Sequence, residues 1–176
     1  MADTAYPDRF FDFHREGSQR SAREVIPVVR QFIEPKSVVD VGCGIGTWLS
    51  EFENAGITDC LGIDGGYVDR EQLLIERERF QVHDLEMPLN LDRRFDLAVS
   101  LEVAEHLPAA CADTFVESLT RLSSAILFSA AIPRQGGDHH VNEQWPEYCQ
   151  ERFERHGYVV VDCLRRLLWR NANVEQ

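Results

Sequence analysis

At 176 residues, 44% of them hydrophobic, the chain is long enough to bury one α/β core and calls for no second domain. Its formal charge of -12 argues against a nucleic-acid partner, because a protein that tracks phosphates needs a basic face. No apolar run approaches the roughly 20 residues that span a bilayer, and Met1 to Thr4 lack the basic and apolar regions of a signal peptide.

The five cysteines (43, 60, 111, 149 and 163) are scattered, odd in number and without C-x-x-C spacing, so neither a disulfide framework nor a zinc site is suggested. A reduced, cytoplasmic protein is the expectation. Along the chain, Arg20 to Ile33 puts apolar residues at 22, 25, 26, 29, 32 and 33, a helical stripe that Pro35 stops. Val38 to Val41 then reads as a buried strand running into Gly42, Cys43, Gly44, Ile45 and Gly46, after which Thr47 and Trp48 open a helix that Gly56 is placed to cap. A second apolar run, Cys60 to Ile63, ends in Asp64 and Gly65. A strand, a glycine turn, a helix and a strand-end carboxylate make a nucleotide-sized site, with Asp64 placed to grip a ribose.

The glycine alternation separates two cofactor classes. A dinucleotide fingerprint is G-x-G-x-x-G/A, its amides facing a pyrophosphate. Here the glycines fall at 42, 44 and 46, Thr47 stands where the last small residue belongs, and Asp40 is a poor neighbour for a doubly charged pyrophosphate. A ligand with a cationic centre and no phosphate suits the turn better. Further along, Phe80 to Leu85 reads as a third strand ending at Asp84, Phe95 to Glu102 as a fourth, and Ser124 to Pro133 as a fifth. Cys111 to Leu122 and Glu147 to His156 are helical by periodicity, and Tyr158 to Cys163 reads as a further strand.

These segments, in this order, resemble the class I S-adenosylmethionine-dependent methyltransferases. The D-x-G-x-G-x-G turn is similar to motif I of that family. Glu105-His106-Leu107 after the fourth strand is similar to the "EHL" signature of its type 11 and type 23 groups. The resemblance runs from about Ser18 to Cys163. It implies a Rossmann-like, doubly wound, mostly parallel sheet flanked by helices and built as one domain. Residues 1–35 would be a helical cover, with Tyr6 to Ser18 across the mouth. Residues 36–133 would be the cofactor-binding core, and 134–176 a substrate-side loop, helix and last strand. The chain departs from the family at its end: Asn171 to Gln176 is not strand-like, so the final antiparallel strand is missing from the pattern. An unpaired edge invites a homodimer or a partner that completes the sheet.

The resemblance also assigns roles, with S-adenosyl-L-methionine as cofactor. Asp40 would order the turn and help hold the cofactor's ammonium. Gly42, Cys43, Gly44 and Gly46 would bring backbone against methionine and ribose, Asp64 and Gly65 would meet the ribose, and Asp84 with Leu85 the adenine edge. Ser100 and Leu101 would border the methionine.

On the acceptor side a general base is sought among six histidines. His14 and His156 read as solvated, His83 as packed beside Asp84, and His106 as support for the loop after the fourth strand. His139 and His140 leave the fifth strand through a polar glycine loop, where open α/β sheets bind ligands. His140 is the candidate base, with Glu143 or Asn142 orienting it and Trp145 as an apolar wall. Adjacent histidines on an extended loop diverge, so Asp138, His139, His140 and Glu143 are not expected to share a metal, and none is expected.

The function expected is methyl transfer to a small-molecule acceptor, most simply a hydroxyl, with no nucleic acid or membrane partner. A degenerate cofactor-binding domain that serves a partner is the alternative the missing strand favours. A nicotinamide-dependent oxidoreductase is opposed by Thr47 and Asp40.

Overall fold

The computed structural model describes residues 8–174, with side chains from Glu16 onward. Five parallel strands form one sheet: β1 (Ser37–Val41), β2 (Asp59–Asp64), β3 (Phe80–Val82), β4 (Leu97–Leu101) and β5 (Ile126–Ser129), in the order β3-β2-β1-β4-β5. β1 lies at the centre, Val39 opposite Leu61 of β2 on one side and Ala98 of β4 on the other. Every residue of β1 is buried, which is why it reads as a continuous apolar run and not as an alternation.

Helices cover both faces. On one, α1 (Asp8–Val29) and α2 (Thr47–Asn54) enclose a core containing Ile26, Val38, Leu49, Phe52 and Val99. On the other, α3 (Ala112–Leu122) and α4 (Pro146–Arg155) pack Phe115, Leu119 and Phe153 over Val39, Ile63 and Ala98. The strand order reverses between β1 and β4, so the crevice at their carboxyl ends is the ligand site such sheets provide.

Several boundaries differ from the sequence expectation, β4 and β5 among them, both shorter than expected. α1 begins at Asp8, twelve residues before the apolar stripe, and yields to turns after Val29, two residues past Pro27, which has no N–H to give the helix. The expected cover from Tyr6 to Ser18 lies largely outside the described residues and side chains. β3 is only three residues long, so Asp84 stands beyond its end.

The largest correction is that Tyr158 to Cys163 forms no strand. Val159 and Val161 are 83% and 71% exposed, and the Cys163 amide donates to the Val161 carbonyl at 2.9 Å, a three-residue turn that breaks the extended run. The Tyr158 hydroxyl is tethered to the Ser123 and Thr120 carbonyls. The chain then enters α5 (Leu164–Leu168) and crosses to α1, where Asn171 and Asn173 both donate to Glu24, at 2.7 and 3.0 Å. β-Propensity alone does not make a strand: the run turns at Cys163 without pairing with β5, whose outer edge stays open. Among the described residues β5 is therefore the last strand, one pairing earlier than expected.

Candidate functional site

The glycine turn is fixed by backbone bonds across the sheet. The amides of Gly42 and Cys43 both donate to the Ile63 carbonyl, at 2.8 and 3.3 Å, and the Gly46 amide to the Cys43 carbonyl at 2.9 Å. Gly42 has φ +86°, and a β-carbon there would lie 2.2 Å from the Val103 side chain. At Gly44, where φ is +55°, a β-carbon would meet nothing within 4 Å, and the backbone turns to open space. The three glycines thus divide their work: Gly42 and Gly46 pack the turn against Val103 and Ile75, and Gly44 faces the cleft.

Two carboxylates lie under this turn. Asp64 is 3% exposed. Its Oδ2 accepts from the Gly44 amide at 2.6 Å, its Oδ1 from the Gly65 amide at 2.6 Å, and its Oδ1 also accepts the Tyr67 hydroxyl. The Tyr67 ring folds over the Gly65 α-carbon to get there. Asp40, also 3% exposed, has its carboxyl pushed up to about 8 by burial and, secondarily, by the nearby Asp64 charge. The same burial, with both aspartates adding to it, holds the Cys43 thiol well above its usual range. The centre of the turn is therefore an acidic, desolvated place that favours a cation.

Other expected residues fall around the same cleft. Asp84 and Leu85 border it beyond β3, Asp84 accepting from the Glu86 amide at 3.0 Å in a tight turn. Leu101 borders it at the end of β4. Ser100 does not: it is fully buried below the floor and donates to the Val41 carbonyl at 2.9 Å, because alternation along β4 points it inward. His83 is half-buried, its ring 3.2 Å from the Met87 carbonyl.

Across the cleft, the loop after β5 brings His140 and Glu143 together, Nδ1 to Oε1 at 3.0 Å. Glu143 also accepts from the Arg134 and Gly136 amides, at 2.7 and 2.8 Å; the His140 contact and these amides hold its carboxyl below the usual range. Asn142 is committed elsewhere, accepting from Gln144, and of the two candidates it is Glu143 that meets the imidazole. Trp145 is 59% exposed at the start of α4 and does not border the cleft. The His106 ring meets His140 edge to face, centroids 4.9 Å apart.

Three contributors were not read from the sequence. Tyr67 gives only the weak signal of a phenol three residues past a strand-end aspartate. Glu105 belongs to the quoted signature, but nothing in its neighbours announces that it is fully buried. Val103 is important only as the surface that demands glycine at 42.

A parallel sheet with a glycine turn, strand-end carboxylates and a cation-favouring floor defines an α/β domain for a phosphate-free, cationic nucleoside cofactor. A family model described as a methyltransferase domain, of type 23, matches residues 13–173, and the chain belongs to that family. Its cofactor is S-adenosylmethionine, which the donor set fits: buried aspartates beneath the turn and an open Gly44 backbone.

Among curated proteins, it is similar to a probable chloroplastic tocopherol O-methyltransferase of Oryza sativa subsp. japonica (40% identical over 100 residues, 52% of this chain) and to the chloroplastic tocopherol O-methyltransferase of Arabidopsis thaliana (36% over 98 residues, 51% of this chain). The matched region spans 27% of the length of each. Among solved structures, magnesium protoporphyrin IX methyltransferase from Synechocystis PCC 6803, with bound SAH, superposes with TM-score 0.61 at 17% identity. That match covers 82% of this chain and 75% of the other, a likeness of fold. No described helix is long and apolar enough to cross a membrane.

Proposed function

We propose that the chain catalyses transfer of a methyl group from S-adenosylmethionine to a hydroxyl of a small molecule. The observation that carries this reading is that one cleft is lined both by the Asp40–Gly44–Asp64 floor and by His140, the imidazole that Glu143 holds. The tocopherol O-methyltransferases it resembles over half its length support oxygen as the acceptor atom. Asp40, its carboxyl pushed up to about 8, gives up its proton to pair with the cationic end of the cofactor. Gly44 brings backbone against it, Asp64 holds ribose hydroxyls, and Asp84 with the Leu85 amide reads the adenine.

When bound, the cofactor supplies an activated methyl on a sulfonium and with it the driving force. The protein orients, excludes water and handles one proton. Glu143 fixes Nδ1 of His140 as donor, which leaves Nε2 free to take that proton from the acceptor hydroxyl. In this reading 36–133 is the cofactor core, 134–176 the acceptor side and 1–35 a cover. A reducing, cytoplasm-like compartment suits five free cysteines. Methylation of a nucleic acid is disfavoured by the charge of -12.

A second reading, a cofactor-binding domain that works only with a partner, is favoured by the short β5 left at the sheet edge. Calorimetry with S-adenosylmethionine and S-adenosylhomocysteine, followed by turnover against a panel of phenols and sugars, separates the two. Binding with turnover that Glu143→Gln lowers supports the enzyme. Binding without turnover on any acceptor favours the partner domain, and a folded chain that binds neither ligand refutes both.

A further inference from the structure

We propose that Glu105, His106 and His140 form a binding site for one divalent transition-metal ion on the acceptor side of the cleft. The inference deepens the methyltransferase reading and rests on it for the ion's role. The loop sequence alone leads to the expectation of no metal, and the three residues brought together here share only His140 with the four weighed there. Two of the three come from the turn after β4, where spacing along the loop gives no hint of them.

The first observation is an unpaired buried carboxylate. Glu105, in the single turn Ala104–His106, is fully buried, and neither carboxylate oxygen has a hydrogen-bond partner. Its own amide and that of Ala131 lean toward it without reaching hydrogen-bonding geometry. Buried charges are normally paired or coordinate metals, and an isolated one is costly. Nδ1 of His106, also buried, has no partner either.

The second observation is geometric. One ligand atom from each of Glu105, His106 and His140 lies within 4.8 Å of the others. Ligand atoms held about 2.1 Å from an ion lie roughly 3–4 Å apart, so small side-chain rotations close the set. Glu143 stands behind His140 on Nδ1 at 3.0 Å, the outer carboxylate that fixes tautomer and orientation in metal-bound imidazoles. The loop is already pinned to the turn, the amides of Val141 and Asn142 donating to the Glu105 carbonyl at 2.9 and 3.0 Å.

The third observation is strain. Among the described residues, the non-glycine residues with positive φ are Glu102 (55°), Arg134 (76°) and His139 (59°), all on the two loops that carry these ligands. Such conformations persist where surrounding structure has a use for them.

Two imidazoles and one carboxylate suit manganese, iron(II), cobalt or zinc better than calcium or magnesium, which prefer all-oxygen shells. His106 and His140 border the cleft, so the remaining coordination positions face the acceptor. An ion there would bind the acceptor oxygen and lower its pKa. With the ion bound, the base role that His140 has without it gives way to ligation: the hydroxyl proton would pass to water, and the carbon–sulfur bond would break as the carbon–oxygen bond forms.

The test uses the full chain, stripped with EDTA and titrated calorimetrically with Mn(II), Co(II) and Zn(II) chlorides. The visible spectrum of the Co(II) form reports coordination, and near-ultraviolet circular dichroism reports folding. One ion per chain is expected, with affinity reduced about 100-fold or more in Glu105→Gln and His140→Ala, about 10-fold in Glu143→Gln, and unchanged in His139→Ala. Failure of all three ions to bind the parent protein at millimolar concentration overturns the proposal, and that arm needs no variant. Undiminished binding in folded Glu105→Gln and His140→Ala overturns it too. S-adenosylhomocysteine titrated into the same samples reads the cofactor separately. If it binds where no ion does, only the metal site falls; if ions bind and it does not, the methyltransferase reading falls.

Discussion

Stability should fall as pH rises from about 5.5 to about 8.5, and Asp40 should be the main cause. Its carboxyl titrates near 8 in the folded protein and near 3.8 when exposed, so within that window the folded chain holds a proton that the unfolded chain has lost. A raised carboxyl gives its full stabilisation below the unfolded value and loses it as pH climbs through the folded one. At about 1.4 kcal/mol per pH unit, Asp40 alone accounts for a loss of about 3 kcal/mol between those limits. Glu105, pushed up to about 7 chiefly by burial, adds about 2 kcal/mol of the same sign. Against a typical total of roughly 5–15 kcal/mol, the sum is easily measured. Urea unfolding at about four pH values across the window provides the assay. Asp40→Asn, which keeps the shape of the protonated acid, should retain only about 2 of the 5 kcal/mol. A parent protein whose stability is flat or rising with pH, or an Asp40→Asn variant with the parent's slope, would refute the reasoning.

The turn glycines should behave differently from one another. Gly42→Ala forces a β-carbon into Val103 at a positive φ and should cost about 3 kcal/mol or more in urea unfolding, whereas Gly44→Ala meets no neighbour and should cost only about 1–2. Phe52→Ala, which empties a fully buried site between α2 and the sheet, should cost about 3–5 kcal/mol by the same measurement. Asp64→Asn should weaken S-adenosylhomocysteine binding by about 10-fold or more in calorimetry, since a charge-assisted hydrogen bond contributes about 1.5–3 kcal/mol; equal affinity would place the ribose elsewhere. Tyr67→Phe should do the reverse and tighten that binding several-fold.

The cofactor half was legible because its signals are local. The run from Val38 to Gly46 announces a buried strand and a turn whose backbone only glycine tolerates, and Asp64 closes the next apolar run where β2 ends. What failed depended on long-range placement. Val159 to Val161 has strand composition, but the chain turns at Cys163 and leaves for α1, so no pairing forms. Ser100 and Leu101 are neighbours in sequence, yet the pleat sends one into the core and the other to the cleft. Nothing in the sequence around His106 marks Glu105 as buried, and the post-β5 loop that folds back on it lies well along the chain, at Val141 and Asn142. Pairing His140 with Glu143 was accessible from spacing alone; choosing Glu143 over Asn142 needed Gln144 in three dimensions.

The bond from the Tyr67 hydroxyl to Asp64 makes the site a place of exchange. If Asp64 holds the ribose as proposed, a ribose hydroxyl arriving at Oδ1 displaces the phenol, so the carboxylate trades one hydroxyl donor for another and the net gain is the difference between them. Any affinity measured at this cleft is therefore already discounted by the protein's own side chain. Selectivity gains from the same arrangement: a ligand without hydroxyls at that position has nothing to offer Asp64 that Tyr67 does not already supply.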